Sequence, residues 1–101
     1  MIYVSFIYPQ KAGARFDEDY YVNKHLPRVR ALWTVRGLVE LVPLVALSKD
    51  TSASPFRAIS MLEFTSEEAY KDALAHGGEE LIADIANFTD IKPVAQLSRK
   101  L

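Results

Sequence analysis

Tyr21 and His25 stand four residues apart, a spacing that puts both side chains on one surface of a helix. A neutral imidazole has one donor and one acceptor and titrates near neutrality. Beside a cavity it would accept a proton from a substrate hydroxyl or an activated C–H. A phenol on the same surface would orient that substrate or donate to a developing oxyanion. A core histidine bonded to a backbone carbonyl fits the same periodicity, and the pattern leaves both readings open. Trp33, Tyr70 and Phe88 are candidate walls of an aromatic pocket, or plain core.

The other polar candidates are weaker. His76 precedes Gly77-Gly78 and is expected to cap a helix C-terminus, where a cation meets the negative end of the dipole. Glu40 and Glu63 fall on strands, as a carboxylate pair or as solvent-facing residues. Two distant histidines without HxH or HExxH spacing make no metal site. No GxGxxG, P-loop or GxSxG pattern is present, so neither a phosphate cradle nor a serine elbow is expected. No cofactor is expected.

Composition narrows the classes. The 101 residues suit one domain, 1–101, with half of them apolar and a quarter charged. Twelve Lys+Arg against thirteen Asp+Glu give a net charge of -1, so no nucleic-acid partner is expected. With no cysteine there is no disulfide framework or thiolate site, which fits a reducing compartment. The opening MIYVSFIYPQ has no cationic leader and is too short to span a bilayer. A cytoplasmic protein without membrane contact is expected.

The elements that must position these residues follow from local pattern. IYVSFIY at 2–8 is rich in β-branched and aromatic residues and reads as a strand ending at Pro9. Asp17 caps a helix to about Thr34, with acidic Glu18 and Asp19 in its first turn and Phe16 stapled on Tyr21. Its expected buried stripe is Val22, Leu26, Val29 and Trp33, flanked by Tyr21, His25 and Leu32, with a kink or second start at Pro27. Residues 38–47 form a second strand with a bulge or edge position at Pro43. A turn-rich SKDTSASP follows, then a third strand at 57–64. Thr65 and Glu68 form a capping box for a helix burying Ala69, Tyr70, Ala73 and Leu74, stopped by Gly77-Gly78. A short helix from Glu79 to about Ala86 packs Leu81, Ile82 and Ile85, and residues 91–98 form the last strand. The order is βαββαβ, an α+β ferredoxin-like arrangement: a four-stranded antiparallel sheet with both helices on one face.

Helices on one face leave the other face to water, yet three strands are apolar on both sides. Tyr3 and Ile7 oppose Ile2, Val4 and Phe6. Leu38, Val42 and Leu44 oppose Val39, Leu41, Val45 and Leu47, and Ile59 and Met61 oppose Ala58, Leu62 and Phe64. Some eight such side chains at about 1.5 kcal/mol each amount to roughly 12 kcal/mol, comparable with the whole stability of a small domain. The simplest cover is a second copy, sheet against sheet, in a two-fold homodimer.

Tyr8-Pro9, Arg15-Phe16-Asp17-x-Asp19-Tyr20-Tyr21 and His25-x-Pro27 resemble the N-terminal signature of the EthD family. Residues Ala83 to Pro93, ADIANFTDIKP, are similar to its closing motif. The resemblance implies a dimeric α/β barrel, with the paired sheets inside and the helices outside. It carries over to Asp17, Tyr20, Tyr21, His25 and Pro27. Asp17 is explained as a cap, Pro27 as a kink, and Tyr20 is expected off the buried stripe, which leaves His25 and Tyr21 for chemistry. Superfamily relatives include small cofactor-independent oxygenases, lactone isomerases and polyketide-tailoring enzymes. The expectation is therefore an enzyme acting on a small hydrophobic, aromatic or cyclic metabolite by oxidation or isomerisation/cyclisation. In it His25 is the general acid/base, Tyr21 its partner, and Trp33 and Phe88 the pocket walls. The alternative is a non-catalytic ligand-binding or accessory protein of an oxidative degradation system.

Overall fold

The computed structural model describes residues 1–101. Four strands, β1 (Ile2–Pro9), β2 (Leu38–Val45), β3 (Phe56–Phe64) and β4 (Val94–Ser98), form one antiparallel sheet in the order β2-β3-β1-β4. A first crossover, residues 18–36, joins β1 to β2, and a second, residues 67–85, leads from β3 toward β4. Both lie on one face, giving the ferredoxin-like α+β architecture that the element order predicts.

The first crossover starts where the sequence places it. The Asp17 carboxylate accepts from the Tyr20 amide at 3.0 Å, and the Phe16 ring meets Tyr21 edge-on at 5.3 Å. Arg57 holds this end from the sheet, its guanidinium 4.7 Å above the Phe16 ring and bonded to Glu18 at 2.8 Å. The helix then passes from α1 (Glu18–Tyr20) through a widened π-type turn at Tyr21–His25 into α2 (Leu26–Trp33) and a final 3₁₀ turn. Pro27 has no N–H and crowds the preceding turn, and the chain accommodates it by widening, with the Leu26 amide reaching back five residues to the Tyr21 carbonyl. The expected kink is thus a π turn, and it changes which residues face inward. Tyr21, His25, Leu26, Val29 and Trp33 are buried, whereas Val22, expected at the centre of the stripe, is 55 % exposed.

The second crossover departs from expectation at its cap. Ser66 accepts from the Ala69 amide at 3.0 Å, so Thr65 and Glu68 do not form the capping box. Tyr70 and Ala73 of α3 (Glu67–Ala73) are buried. The chain bends at His76 and Gly77, the latter at φ +111°, before α4 (Glu79–Ile85). In α4 Leu81 is buried but Ile82 is 61 % exposed, so Ile82 does not join the core as expected. His76 Nδ1 contacts the Asp72 carbonyl at 2.8 Å, within the last turns before the bend.

The sheet registers decide the faces. Ala58, Ser60, Leu62 and Phe64 of β3 and Val4 and Tyr8 of β1 are buried under the helices. A register shift between Leu38 and Glu40, rather than at Pro43, puts Leu38 and Leu41 together on that side, so Leu38 parts from Val42 and Leu44. Pro43 pairs with Ser60 on an edge strand, a position proline tolerates. β4 begins at Val94, and Ile91 is buried ahead of it. The opposite face carries Ile7, Val42, Leu44, Ile59, Met61 and Val94, with no element of this chain over it.

At Gly37, φ +103° closes the first crossover onto β2. A β-carbon there would lie 2.8 Å from Ala69 Cβ and 2.9 Å from Thr65 Oγ1, so the two crossovers meet at this point at backbone distance.

Candidate active site

His25 occupies the last position of the widened turn, facing the second crossover. Its Nδ1 lies 2.9 Å from Oδ2 of Asp84, one residue before the end of α4. The other oxygen, Oδ1, accepts from the Tyr20 hydroxyl at 2.6 Å, Arg28 Nη1 at 2.7 Å and Asn87 Nδ2 at 3.0 Å. Burial opposes charge on Asp84. The donors from Tyr20, Asn87 and His25, with the Arg28 cation, outweigh it and bring the carboxyl down to about 2.

An ionised carboxylate only accepts hydrogen bonds, so the proton between the pair sits on His25 Nδ1. Burial lowers the His25 pKa, and the Arg28 charge adds to that. The Asp84 bond and charge oppose the shift without reversing it. The imidazole is therefore neutral at pH 7 in its Nδ1–H tautomer, and Nε2 carries the lone pair. Nε2 makes no hydrogen bond within the protein, and His25 forms part of the wall of a cavity.

That cavity, about 240 Å³, lies between the crossovers and the sheet, and thirteen of its fifteen lining residues are hydrophobic. Leu26, Val29 and Trp33 continue the wall along the helix from His25, Phe6, Leu41 and Leu62 floor it, and Tyr70 closes the far side. Exposed Ile82 and Ala95 mark its mouth. Ser60 contributes a polar side chain, and its hydroxyl bonds the Tyr21 hydroxyl.

The residues singled out in the sequence are thus divided. His25 and Trp33 line the cavity. Tyr21 does not; its ring stacks on His25 with centroids 5.9 Å apart, and its hydroxyl reaches the cavity only through Ser60. Phe88, expected as a wall, is fully buried behind His25 with ring centroids 4.8 Å apart and lines no part of it. Tyr20, expected off the buried stripe, is half-buried and donates to Asp84 across the gap between the crossovers. Glu40 and Glu63 pair in register on the sheet, where Glu63 accepts from Tyr3 at 3.2 Å, away from the cavity.

Sequence reasoning gave Asp84, Arg28, Ser60 and Tyr8 no role in the site, although Tyr8 and Asp84 fall within the motifs that resemble the EthD family. Asp84 carried a usable signal: it follows Leu81 by three positions and so shares its buried face, where an unpaired acid would be costly. The chain ends around it are tied together. Arg15 donates to the carbonyls of Ala86 and Asn87 at 2.8 and 3.2 Å, and the Asp17 amide donates to the Phe88 carbonyl at 2.7 Å. The start of one crossover is thereby fixed to the end of the other.

No protein-family model matches the sequence, and no curated protein does. Solved structures do. SnoaB, a cofactor-independent oxygenase from Streptomyces nogalater, superposes with a TM-score of 0.65 at 13% identity, over 99% of this chain and 93% of that one. An EthD family protein from Bacillus halodurans C-125 gives 0.69 at 14% identity, over 100% and 99%. These two establish the likeness of fold, which is that of the dimeric α/β barrel proteins. An EthD-like protein from Ralstonia eutropha JMP134 is much nearer, with a TM-score of 0.85 and 36% identity over 97% of this chain and 89% of that one. On that resemblance, which runs through both crossovers and all four strands, the chain belongs to the EthD-like family.

Proposed function

We propose that the protein is a small homodimeric enzyme that removes a proton from a hydrophobic, aromatic or cyclic metabolite, with His25 Nε2 as the general base. One observation carries the reading: a histidine on the wall of an apolar cavity has its other nitrogen held by an ionised, fully bonded aspartate. Asp84 fixes the tautomer and favours the imidazolium that forms, Arg28 and Tyr20 hold Asp84, and Ser60, oriented by Tyr21, donates to the oxyanion of the substrate. The acid is a phenolic hydroxyl or an activated C–H. Its conjugate base then passes electrons to dioxygen, or is reprotonated at another atom in an isomerisation or cyclisation. The likeness to a cofactor-independent oxygenase supports the oxidative course, with dioxygen as the acceptor.

Binding without turnover, as in an accessory protein of an oxidative system, would need the cavity and not the dyad. The test is dioxygen uptake with a panel of hydroxylated naphthalenes and anthrones. For a substrate from that panel, His25→Ala should lower kcat/KM by about 10²–10⁴-fold with the dimer intact. The wild-type rate should fall with acid as His25 protonates, at a pH below the ordinary histidine value of 6.5. Binding that leaves every compound unchanged would favour the accessory role.

The uncovered apolar face of the sheet supports the homodimer. Met61→Glu, placing a charge at its middle, should convert a particle of twice the 11.4 kDa chain mass into a single chain on sedimentation. A wild type that sediments as one chain would overturn it.

A further inference from the structure

We propose that Tyr8 is a further catalytic residue: its hydroxyl holds the carbonyl oxygen of a cyclic ketone while His25 Nε2 takes a proton from the carbon beside that carbonyl. The inference rests on His25 as the base in this cavity, and it adds where the negative charge gathers and which acid is favoured. Tyr8 lines the cavity from β1 and is only 2 % exposed, yet its hydroxyl makes no hydrogen bond within the protein. That oxygen is not sealed in by its neighbours, because Trp33 Nε1 is the one side-chain nitrogen or oxygen both enclosed and unpaired. The open surface left to the Tyr8 oxygen therefore faces the cavity that the residue borders.

The placement of the polar groups selects the acid. Tyr8 pairs with Ala58, two residues from Ser60, so both hydroxyls rise from neighbouring strands on the sheet side of the cavity. His25 reaches the same end from the helix side. Tyr8 and His25 pack on the same two rings, Tyr21 at centroid distances of 6.4 and 5.9 Å and Phe88 at 5.9 and 4.8 Å. A phenol loses its proton and gains its charge at one oxygen, which the newly formed Nε2–H would itself answer. A ketone loses its proton from carbon while charge gathers on oxygen, and so uses a base at one atom and a donor at the other. The C–H electron pair becomes a C=C bond, the carbonyl π pair moves onto oxygen, and the proton rests on Nε2. Its return to the same or another carbon completes the cycle without a further reactant. Burial and the neighbouring Tyr21 raise the Tyr8 pKa, so the hydroxyl keeps its proton and acts as a donor.

The probe is 2-tetralone, whose two fused rings suit a cavity of about 240 Å³, given that about 150 Å³ takes benzene. In deuterated buffer the wild-type protein should exchange the hydrogens beside the carbonyl faster than buffer alone, and His25→Ala should abolish that excess. Tyr8→Phe removes one oxygen and keeps the ring. It should lower kcat for exchange by about 10²-fold and change KM by less than about tenfold. A second readout uses the wild type alone: 2-tetralone carrying carbon-13 at its carbonyl should resonate, when bound, downfield of its position in hexane. A Tyr8→Phe rate equal to wild type, a loss confined to KM, or a bound carbonyl carbon at its hexane position would overturn the role of Tyr8 and leave the His25 base standing. Wild-type exchange no faster than buffer would overturn the base and this inference together.

Discussion

Both crossovers are interrupted halfway, and they solve the problem differently. The first contains a proline and stays one helix: its turn widens at Tyr21–His25, the backbone remains helical, and the side chains beyond are rotated relative to those before. The second contains a glycine pair and bends, with His76 at φ -123° and Gly77 at φ +111° outside helical geometry. A widened turn re-aims side chains, while a break re-aims an axis. The site needs both. The first aims His25 toward the second crossover beside Tyr20 of the preceding turn, and the second swings α4 back so that Asp84 meets them.

The largest effect is expected where the two meet. Asp84→Asn removes the charge that answers Arg28 and the carboxylate that accepts from His25, and should cost about 3 kcal/mol in urea unfolding, moderated because the Arg28 side chain is half-exposed. A loss below 1 kcal/mol would mean that the crossovers hold each other by other contacts. The same carboxyl gives an acid signature. Its pKa of about 2 in the fold lies below its ordinary 3.8, so its contribution is complete above pH 4 and is lost as the pH falls toward 2. His25 is lowered as well, so the unfolded chain takes up its proton first and stability already declines as the pH drops below 6.5. Asp84→Asn should erase the lower of these two declines.

Gly77→Ala comes next, at about 1–2 kcal/mol, because an L-residue is strained at that φ. Its new methyl would also lie 3.0 Å from Leu32 Cδ1, a side-chain tip able to yield. The two caps should then be equivalent: Asp17→Ala and Ser66→Ala should each cost about 1 kcal/mol, and an unequal pair would show that one crossover depends on its cap more than the other. The smallest change in stability is expected from Pro27→Ala, within about 1 kcal/mol. Its readout is spectroscopic. Restoring an amide allows the turn to narrow, so the ring resonances of Tyr21 and His25 should shift while those of α4 do not. No shift would show that the widened turn has a cause other than the proline.

Element order, helix existence and the apolar second face of the sheet were legible because alternation and caps are local signals. His25 was legible as a candidate from its place on the helix and from the family resemblance. The parts that failed share one cause. Winding residues 17–34 at a constant angle buried Val22, which is exposed in the structure, and gave no reason to bring the half-buried Tyr20 to Asp84. Asp84 stands 59 residues from His25, a separation that no helical spacing bridges. Phe88 was read as a pocket wall but sits behind His25, one layer too deep to touch a ligand. The cap moved by one residue, from Thr65 to Ser66, because both hydroxyls precede the same acidic turn.

Gly37 lines no cavity and carries no functional group, yet it sets how closely the two crossovers approach. A single added methyl there would wedge apart the bodies that bring imidazole and carboxylate together. A random library screened for null alleles should therefore return position 37 alongside 25 and 84. Such alleles would retain every chemical group of the reaction and lose only the spacing between them.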